Sequence, residues 1–283
     1  MTSVFQRPLL ATEHTEFDTG AERVALALAR RYGLPLSGVV PLVSNPEYEA
    51  LAPQVALNAE HETATKIGEL REAAKGIGVS IDLRARRGED AYREVIDEAT
   101  ERGSDLIVIR RRGKRGFLAN LLLGEMVAKV VAHAPCSVLI VPRSAQLWSR
   151  RILVAAEPSA HGRQLVITAS AIAAESALPL TLVCVTGNDP AQRQQADEFI
   201  GESVASARQA GATAQGQTLE GKPLPMILDA ATRTSADLIV IGSRSDHSIG
   251  RALIGGVAQK VIGLFEHPVL VVHFDKPAER AKQ

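Results

Sequence analysis

The chain has 283 residues, of which 46% are apolar, and its 32 basic residues are matched by 32 acidic residues. This balance excludes the strongly basic proteins that bind nucleic acid or anionic membranes through bulk charge. No apolar run approaches the roughly 20 residues needed to cross a bilayer. Residues 1–10 contain neither the basic nor the apolar part of a secretion signal, so the sequence predicts a cytoplasmic protein with no membrane partner.

Short apolar strands alternate with amphipathic helices in the first half of the chain. The helix predicted at 21–32 places Val24 and Leu28 at helical spacing and ends at Gly33, a usual C-terminal stop. Strands are predicted at 8–12, 36–43, 79–85, 106–109 and 137–142, with helices at 21–32, 53–77, 91–102 and 118–133. This alternation indicates an α/β protein with a parallel sheet that is covered on both faces.

The second half of the chain repeats the first. The segment DLIVI occurs at 105–109 and again at 237–241, and the apolar segment 138–141 returns as 269–272. Residues 9–13 likewise resemble residues 153–157. The repeated order predicts two copies of one doubly wound domain, residues 1–147 and 148–283, each with a five-stranded parallel sheet flanked by helices. Strands of the second copy are predicted near 151–156, 179–186, 213–219, 237–242 and 268–273.

The repeat order, the two DLIVI strands and the endings HAPCSVLIVP and HPVLVV resemble the universal stress protein family in its tandem form. The resemblance covers nearly the whole chain. It implies ATP binding through the signature G-x2-G-x9-G-[ST], with an acidic residue, usually Asp, at the end of the first strand. Members that lack the signature do not bind nucleotide. The family is not an established enzyme class, and its members act in stress resistance, often as dimers.

The second copy keeps the spacing of that signature but not all of its residues. Gly242 and Gly255 match the first and third glycines, and Ser245 stands in place of the second. Gly256 replaces the Ser/Thr, and Glu157 replaces the Asp. Each hydrogen bond lost to a charged ligand costs roughly 1.5–3 kcal/mol. Two such losses move a micromolar site towards the millimolar range.

The first copy departs further from the signature. Arg110 stands where the first glycine belongs, Gly113 matches the second, and Gly124 lies one residue too far along the chain. Glu125 then places a carboxylate near the expected phosphates, and Glu13 replaces the Asp. The first copy is therefore not expected to hold a nucleotide in the family's pose.

Basic residues are concentrated after two strands of the first copy. One group is Arg84, Arg86 and Arg87, and the other contains the anion-binding candidates Arg110, Arg111 and Arg112. Both groups are predicted to lie at the same carboxyl edge of the sheet, where they would form an anion site for a phosphorylated metabolite, a nucleotide in a changed pose or RNA. The competing interpretation is a solvated loop whose arginines pair with neighbouring carboxylates.

The last strands of the two copies, 137–141 and 268–272, are strongly apolar and would otherwise lie at open sheet edges. The equivalent strands pair across dimers in the family that the chain resembles. We therefore expect the two copies to pair with each other through these strands, about a pseudo-twofold axis, which protects both edges. Further assembly into homo-oligomers is left open by the sequence.

These observations lead to one function hypothesis and one alternative. The hypothesis is a non-catalytic stress-response protein whose second copy binds ATP or another phosphorylated small molecule. The alternative is an interaction scaffold that uses the arginine-rich edge of the first copy. An ATP-splitting enzyme is not favoured, because no SGGxD-type loop follows either first strand. No metal-ligand spacing is present, and an aromatic content of 4% argues against stacking on nucleic acid.

Overall fold

The computed structural model describes residues 3–44, 53–111, 124–243 and 254–274. The first repeat contains, in chain order, β1 Pro8–Ala11, α1 Thr19–Tyr32, β2 Leu36–Val43, α2 Pro53–Gly76, β3 Ile81–Gly88, α3 Ala91–Glu101, β4 Leu106–Arg110, α4 Glu125–His133 and β5 Ser137–Val141. The second contains β6 Ile152–Ala155, α5 Ala160–Ser176, β7 Leu180–Thr186, α6 Pro190–Gln209, β8 Ala214–Glu220, α7 Pro223–Arg233, β9 Leu238–Gly242, α8 Gly256–Leu264 and β10 Val269–Val272.

The predicted alternation of strands and helices is confirmed in both repeats. The largest shift is at β3, which runs to Gly88 and so ends three residues beyond the predicted strand at 79–85. Of the helix predicted at 118–133, the structure describes the part from Glu125 onwards. The predicted domain limits at residues 147 and 148 stay a prediction.

All ten strands form one continuous sheet, in the order β3-β2-β1-β4-β5-β10-β9-β6-β7-β8. Within each repeat every neighbouring pair of strands is parallel, as predicted. Leu9 pairs with Ile107 in the first repeat, and Leu153 pairs with Ile239 in the second, so the repeats share one register. Equivalent positions can therefore be compared residue by residue.

Two layers of helices cover the sheet. Leu10 and Val108 face one apolar cluster, which holds α1, α2, α5 and α6. Leu9 and Ile107 face the other, which holds α3, α4, α7 and α8. Because side chains alternate along a strand, continuous aliphatic strands bury both faces, which explains the unbroken apolar runs in the sequence. No helix in the described ranges is long and apolar enough to cross a membrane.

Strands β5 and β10 join the two repeats. They pair antiparallel, with Leu139 opposite Leu270, and this confirms the predicted pairing of the copies within one chain. Leu139 and Leu270 are equivalent residues of the two repeats, so the pseudo-twofold axis passes between them. Antiparallel pairing also reverses the strand direction, which puts the carboxyl ends of the two repeats at opposite edges of the sheet.

A second contact between the repeats lies where α1 and α5 end. The hydroxyl groups of Tyr32 and Ser176, which are again equivalent residues, lie 2.8 Å apart. Arg31 Nη2 donates to the Ser176 carbonyl oxygen at 2.9 Å. Trp148, in the segment between the repeats, is buried and donates from Nε1 to Ser176 Oγ at 3.4 Å. The two repeats therefore also contact each other through helices.

A buried carboxylate organises the outer part of the first repeat. The Glu98 side chain is completely buried, and its Oε2 accepts from Arg86 Nη1 at 2.9 Å while its Oε1 accepts from Arg102 Nε. Burial by itself would raise the pKa of Glu98, but hydrogen bonds from Arg102 and Arg86 outweigh burial and hold that pKa below its ordinary value. Arg86 therefore forms its ion pairs with carboxylates of α3.

Leu139→Ala tests the joint between the repeats. Leu139 is fully buried, so its truncation is expected to lower the free energy of unfolding by about 2–5 kcal/mol. Urea unfolding followed by the fluorescence of Trp148, the only tryptophan, measures the change. The control Ile167→Ala removes an exposed side chain and should cost less than about 1 kcal/mol. Equal losses in the two variants would contradict this account of the joint.

Glu98→Gln tests the buried carboxylate. It is expected to lower the free energy of unfolding by about 2–4 kcal/mol at pH 7, because Arg86 and Arg102 lose a buried charged partner. The loss is limited because both arginines stay partly hydrated. Since the folded pKa of Glu98 is lowered, its stabilisation is present above the unfolded pKa of about 4.3 and disappears as pH falls through the lower folded value. The difference from wild type should therefore shrink below about pH 4.

The control for this variant is Glu101→Gln. Glu101 also pairs with Arg86, at 2.8 Å, but its side chain is 56% exposed. We expect a loss below about 1 kcal/mol. Equal losses for the two variants, or a difference from wild type that does not change with pH, would show that burial of Glu98 is not the cause.

Candidate functional site

A cavity opens in the second repeat where β6 and β9 end. It measures about 170 Å³. Its walls are apolar and include Leu165, Val183 and Ile227. Polar and glycine residues also line it, namely Glu157, Ser159, His161, Gly162, Gly242, Gly255 and Gly256. An apolar cavity with a few polar groups, at the carboxyl edge of a parallel sheet, is the usual form of a small-molecule site.

The N-terminus of α8 lies at this cavity. Gly255 is its N-cap residue and Gly256 its first residue, with no side-chain cap and no acidic residue in the first turn. The Gly255 N–H donates to the carbonyl oxygen of Ser243 at 3.1 Å, and the Ser243 N–H donates to that of Val272 at 3.2 Å. The sheet thus holds the start of the helix in place. The positive end of its dipole is presented to the cavity without a carboxylate of its own.

Packing does not account for the two glycines at this helix start. No described residue lies within 4 Å of a Cβ atom built at Gly256, and one at Gly255 would lie 3.9 Å from the Ser243 oxygen. In the part of the chain that the structure describes, the space beside these two residues is therefore open. Glycine there leaves room for a ligand to approach the backbone closely.

Gly162 differs from those two glycines because packing requires it. A Cβ atom there would lie 1.9 Å from the carbonyl oxygen of Glu157. Ser159 caps α5, with its Oγ accepting from the Gly162 N–H at 2.9 Å. The loop after β6 therefore folds tightly against the start of α5, which keeps the Glu157 side chain at the edge of the cavity.

An aromatic pair also lines this cavity. The rings of His161 and Phe274 lie 4.9 Å apart between centroids, tilted by 38°. Phe274 was not a sequence candidate, because a single aromatic residue after the last strand carries no motif. The equivalent residues of the first repeat, Phe17 and Arg143, form a cation–π contact at 5.6 Å. Both repeats thus link the start of a helix to the segment that follows their last strand.

The first repeat has a cavity at the equivalent place, about 220 Å³ in volume and lined by Glu13, Asp18, Arg110 and Gly124 among others. Arg110 donates from Nη2 to Glu13 Oε2 and from Nη1 to Asp18 Oδ2, both at 2.9 Å. The Asp18 carboxylate is buried and also accepts from the Thr15 hydroxyl at 2.6 Å. The guanidinium charge of Arg110 is therefore compensated within the chain.

Comparison of equivalent residues shows a paired exchange between the repeats. Arg110 and Asp18 form an ion pair in the first repeat, and glycines 242 and 162 occupy the same two positions in the second. Sequence reasoning found Arg110 but missed Asp18 and Gly162. The sequence does show a charged residue in the first repeat and a glycine in the second at both positions. Only the fold shows that the two positions are in contact.

A carboxylate already stands at the start of α4, the equivalent helix of the first repeat. Gly124 is the N-cap of α4, and Glu125 is its first residue, where Gly256 stands in the second repeat. The Glu125 carboxylate pairs with Lys129 at 2.8 Å, and this hydrogen bond lowers the pKa of Glu125. A carboxylate at this end of the helix takes the place that an anionic ligand would need.

The fold groups the predicted site residues into two clusters. Glu157, Gly242, Gly255 and Gly256 line the cavity of the second repeat. The first cavity is lined by three predicted residues, Glu13, Arg110 and Gly124. Their roles in binding a ligand stay predictions.

Arg111 lies apart from both cavities. Its side chain extends to the second repeat and donates to main-chain oxygens there. Arg110 and Arg111, two of the three anion-binding candidates, thus both have partners within the chain. Arg112, Gly113 and Ser245 lie outside the described residues.

Metal-ligating groups and thiols were the other reactive groups to consider in the described part of the chain. No group of His, Cys, Asp and Glu suited to hold a metal ion is found in these residue ranges. Burial raises the pKa of the Cys136 thiol to about 12 and that of the Cys184 thiol to about 11. Both thiols therefore stay protonated near neutral pH and are weak nucleophiles.

Arg110→Ala tests the internal ion pair. It is expected to lower the free energy of unfolding by about 3–5 kcal/mol, because the buried Asp18 loses its charged partner. The double variant Arg110→Ala/Asp18→Ala should recover part of that loss. Urea unfolding of the wild type, both single variants and the double variant measures the coupling between the two residues. Additive losses would show that the pair does not act as a unit.

Both repeats match one protein family. A family model for the Universal stress protein family matches residues 5–142 and 149–273. Stress response protein NhaX of Bacillus subtilis is 33% identical over 89 residues, 31% of this chain and 54% of the relative. Universal stress protein Slr1230 of Synechocystis is 24% identical over 168 residues, 59% of this chain and 57% of the relative. The chain thus spans about half the length of these curated relatives.

Solved structures show the same fold. A universal stress protein from Archaeoglobus fulgidus superposes with a TM-score of 0.76 at 19% identity, covering 95% of this chain and 96% of that one. One described as a putative universal stress protein from Pseudomonas aeruginosa gives a TM-score of 0.72 at 20% identity, covering 95% of this chain and 93% of that one. With two copies of the family's domain in one ten-stranded sheet, the chain belongs to the universal stress protein family and is a tandem member of it.

Proposed function

We propose that this protein is a non-catalytic stress-response protein whose second repeat binds an adenine nucleotide. One observation carries the proposal: the N-terminus of α8, which has no side-chain cap, meets the cavity through two glycines whose Cβ positions no described residue crowds. Backbone N–H groups and the helix dipole favour a phosphate at such a place. Cytoplasmic location stays a prediction from the sequence.

The shape of the cavity supports a ligand with one apolar and one charged end. Its volume of about 170 Å³ is below the usual 300–1,000 Å³ of a site that encloses a whole ligand. The apolar walls, such as Val183 and Ile227, suit a purine base, and Glu157 at the edge suits a ribose hydroxyl. The phosphates would then lie outside the enclosed part, beside Gly255 and Gly256.

Charge supports a difference between the two repeats. Arg110 in the first repeat is neutralised by Glu13 and Asp18, and Glu125 occupies the helix start. The second repeat has glycines at the positions of Arg110, Asp18 and Glu125. We therefore assign nucleotide binding to the second repeat alone. The partners of Arg110 and Arg111 also weaken the alternative in which these arginines form a free anion-binding edge.

The non-catalytic part of the proposal rests on the chemistry of the cavity. Glu157 and His161 are the titratable side chains that line its described part. One carboxylate and one imidazole can orient a ligand. The described lining offers neither a thiol nor a cluster of metal ligands, so the arrangement favours binding over cleavage of a phosphate ester.

The first test is direct binding. We expect isothermal titration calorimetry with ATP to give a dissociation constant of about 10 µM to 1 mM, which corresponds to roughly 4–7 kcal/mol of binding free energy. Mass spectrometry of the freshly purified protein after denaturation should show any adenine nucleotide that co-purifies. Absence of heat at millimolar ATP, together with absence of co-purified nucleotide, would overturn the proposal.

Gly256→Glu locates the phosphates. This change copies the Glu125 carboxylate of the first repeat into the second, where no described residue lies within 4 Å of the added Cβ atom. Repulsion of the phosphates should weaken ATP binding about 10- to 100-fold, the equivalent of one lost charged interaction. Binding of adenosine, which has no phosphate, should change less than about 2-fold.

The matched control is Gly256→Gln, which has nearly the same size and no charge. It should bind ATP within about 3-fold of wild type, and both variants should unfold at wild-type denaturant concentrations. If Gly256→Gln weakened ATP binding as much as Gly256→Glu, the effect would be steric and the phosphates would not be placed by this experiment. If neither variant affected ATP binding, the nucleotide would not use this helix start.

A further inference from the structure

The C-terminal end of α8 has no basic residue of its own, and the described residues of the second repeat place no cation on it. This helix has nine residues and no basic residue in its last turn. The last carbonyl groups of a helix have no partner within the helix and carry the negative end of its dipole. The equivalent helix of the first repeat, α4, has His133 in its last turn. The end of α8 therefore needs a donor from elsewhere.

Arg111 of the first repeat supplies that donor. Its Nη1 donates to the carbonyl oxygen of Phe265 at 2.6 Å. The same nitrogen donates to those of Ile262 at 3.3 Å and Gly263 at 3.4 Å. The Arg111 side chain is largely buried, at 12% exposure, and its Nη2 also contacts the exposed Glu266 carboxylate at 3.3 Å. One side chain thus places a positive charge on the C-terminal carbonyls of α8.

The antiparallel joint makes this contact possible. Arg111 follows β4 at the carboxyl edge of the first repeat, and its backbone N–H donates to the Val141 carbonyl oxygen at the end of β5. Because Ile140 pairs with Val269, that edge lies beside the start of β10, where α8 has just ended. The N-terminus of α8 lies at the other edge, in the cavity of the second repeat. One short helix therefore runs from Arg111 to the candidate phosphate site.

Within the described residues, the position equivalent to Arg111 does not make the reciprocal contact. The residue of the second repeat equivalent to Arg111 is Ser243, whose backbone N–H makes the matching bond to Val272. A serine side chain is too short to repeat the guanidinium contact. The first repeat thus supports a helix of the second through Arg111, and the second repeat does not return this support through Ser243. The supported helix is also the one whose start is free of acidic residues.

We propose that Arg111 is a positioning residue for the phosphate-binding end of α8, so that the nucleotide site of the second repeat depends on the first repeat. The inference rests on the proposed function. A cation at the C-terminus and an anion at the N-terminus stabilise the same helix dipole, and α8 is only about 14 Å long. The hydrogen bonds of Arg111 also hold the helix against the first repeat, which preorganises its first-turn N–H groups for a phosphate.

The test compares ATP with adenosine in Arg111→Ala and Arg111→Lys. For Arg111→Ala we expect ATP affinity to fall about 3- to 10-fold, from loss of the dipole interaction and the hydrogen bonds. Adenosine affinity should stay within about 2-fold, because adenosine does not contact the helix dipole through a phosphate. Lysine keeps the charge but not the fork of donors, so Arg111→Lys should recover part of the ATP affinity. Equal loss for ATP and adenosine would overturn the positioning role.

Arg23→Ala is the matched control. Arg23 donates from Nη1 to the carbonyl oxygen of Ala145 at 2.7 Å. It is therefore also an arginine that binds a main-chain oxygen between elements, but its helix α1 packs on the opposite face of the sheet from α8. Its loss should leave both affinities within about 2-fold of wild type. An ATP-selective loss in Arg23→Ala as large as that in Arg111→Ala would show that any such arginine has the effect and would overturn the inference.

Amide hydrogen exchange without ligand separates this inference from the proposed function. The N–H groups near the end of α8, such as that of Phe265, should exchange about 3- to 10-fold faster in Arg111→Ala than in wild type. Faster exchange with no ATP binding by wild type would overturn the proposed function while leaving the helix support intact. ATP binding by wild type with unchanged affinity in Arg111→Ala would overturn the inference alone.

Discussion

The pairing of β5 with β10 is the interaction on which the rest of the molecule depends. Either strand alone would leave an apolar sheet edge with unpaired backbone groups. Their antiparallel pairing, with Leu139 opposite Leu270, satisfies both edges and creates one ten-stranded sheet. It also places the two cavities at opposite edges and brings each carboxyl edge beside the helix end of the other repeat. The contact between Arg111 and the end of α8 is a direct consequence.

The equivalent cavities of the two repeats share the same backbone fold but differ in their charged side chains. In the first repeat, Arg110 lies between Glu13 and Asp18, and a carboxylate begins α4. In the second repeat, glycines stand at the positions of Arg110, Asp18 and Glu125. Because a buried charge is tolerated only when it is compensated, Arg110 and Asp18 had to be present together. The first cavity is thereby stabilised from within, and the glycines of the second repeat carry no such ion pair.

Features that depend on local sequence patterns were predicted correctly, whereas contacts between residues far apart in the chain were missed. Strand and helix positions were predictable because apolar periodicity is local and long enough to resolve. The pairing of the last strands was predictable because two matched apolar edges are both protected when they pair with each other. The partners of the arginines were not: Arg86 looked like part of an anion-binding edge, whereas it binds Glu98 and Glu101 on α3. Asp18 was missed for the same reason, since its partner lies far along the chain.

The sequence by itself determined the α/β class, the tandem repeat and the intrachain joint, because each follows from apolar patterns that are repeated in the two halves of the chain. It also identified the positions of the candidate phosphate loop through their spacing. Only the tertiary structure decided which charges are free. The sequence does not show which partners Arg110, Arg111 and Glu125 have. In the fold, Arg110 pairs with the buried Asp18, Arg111 extends to the other repeat, and Glu125 pairs with Lys129 at the start of α4. Electrostatic pairing depends on distances of a few ångströms between residues far apart in the chain, and those distances exist only once the two repeats have joined.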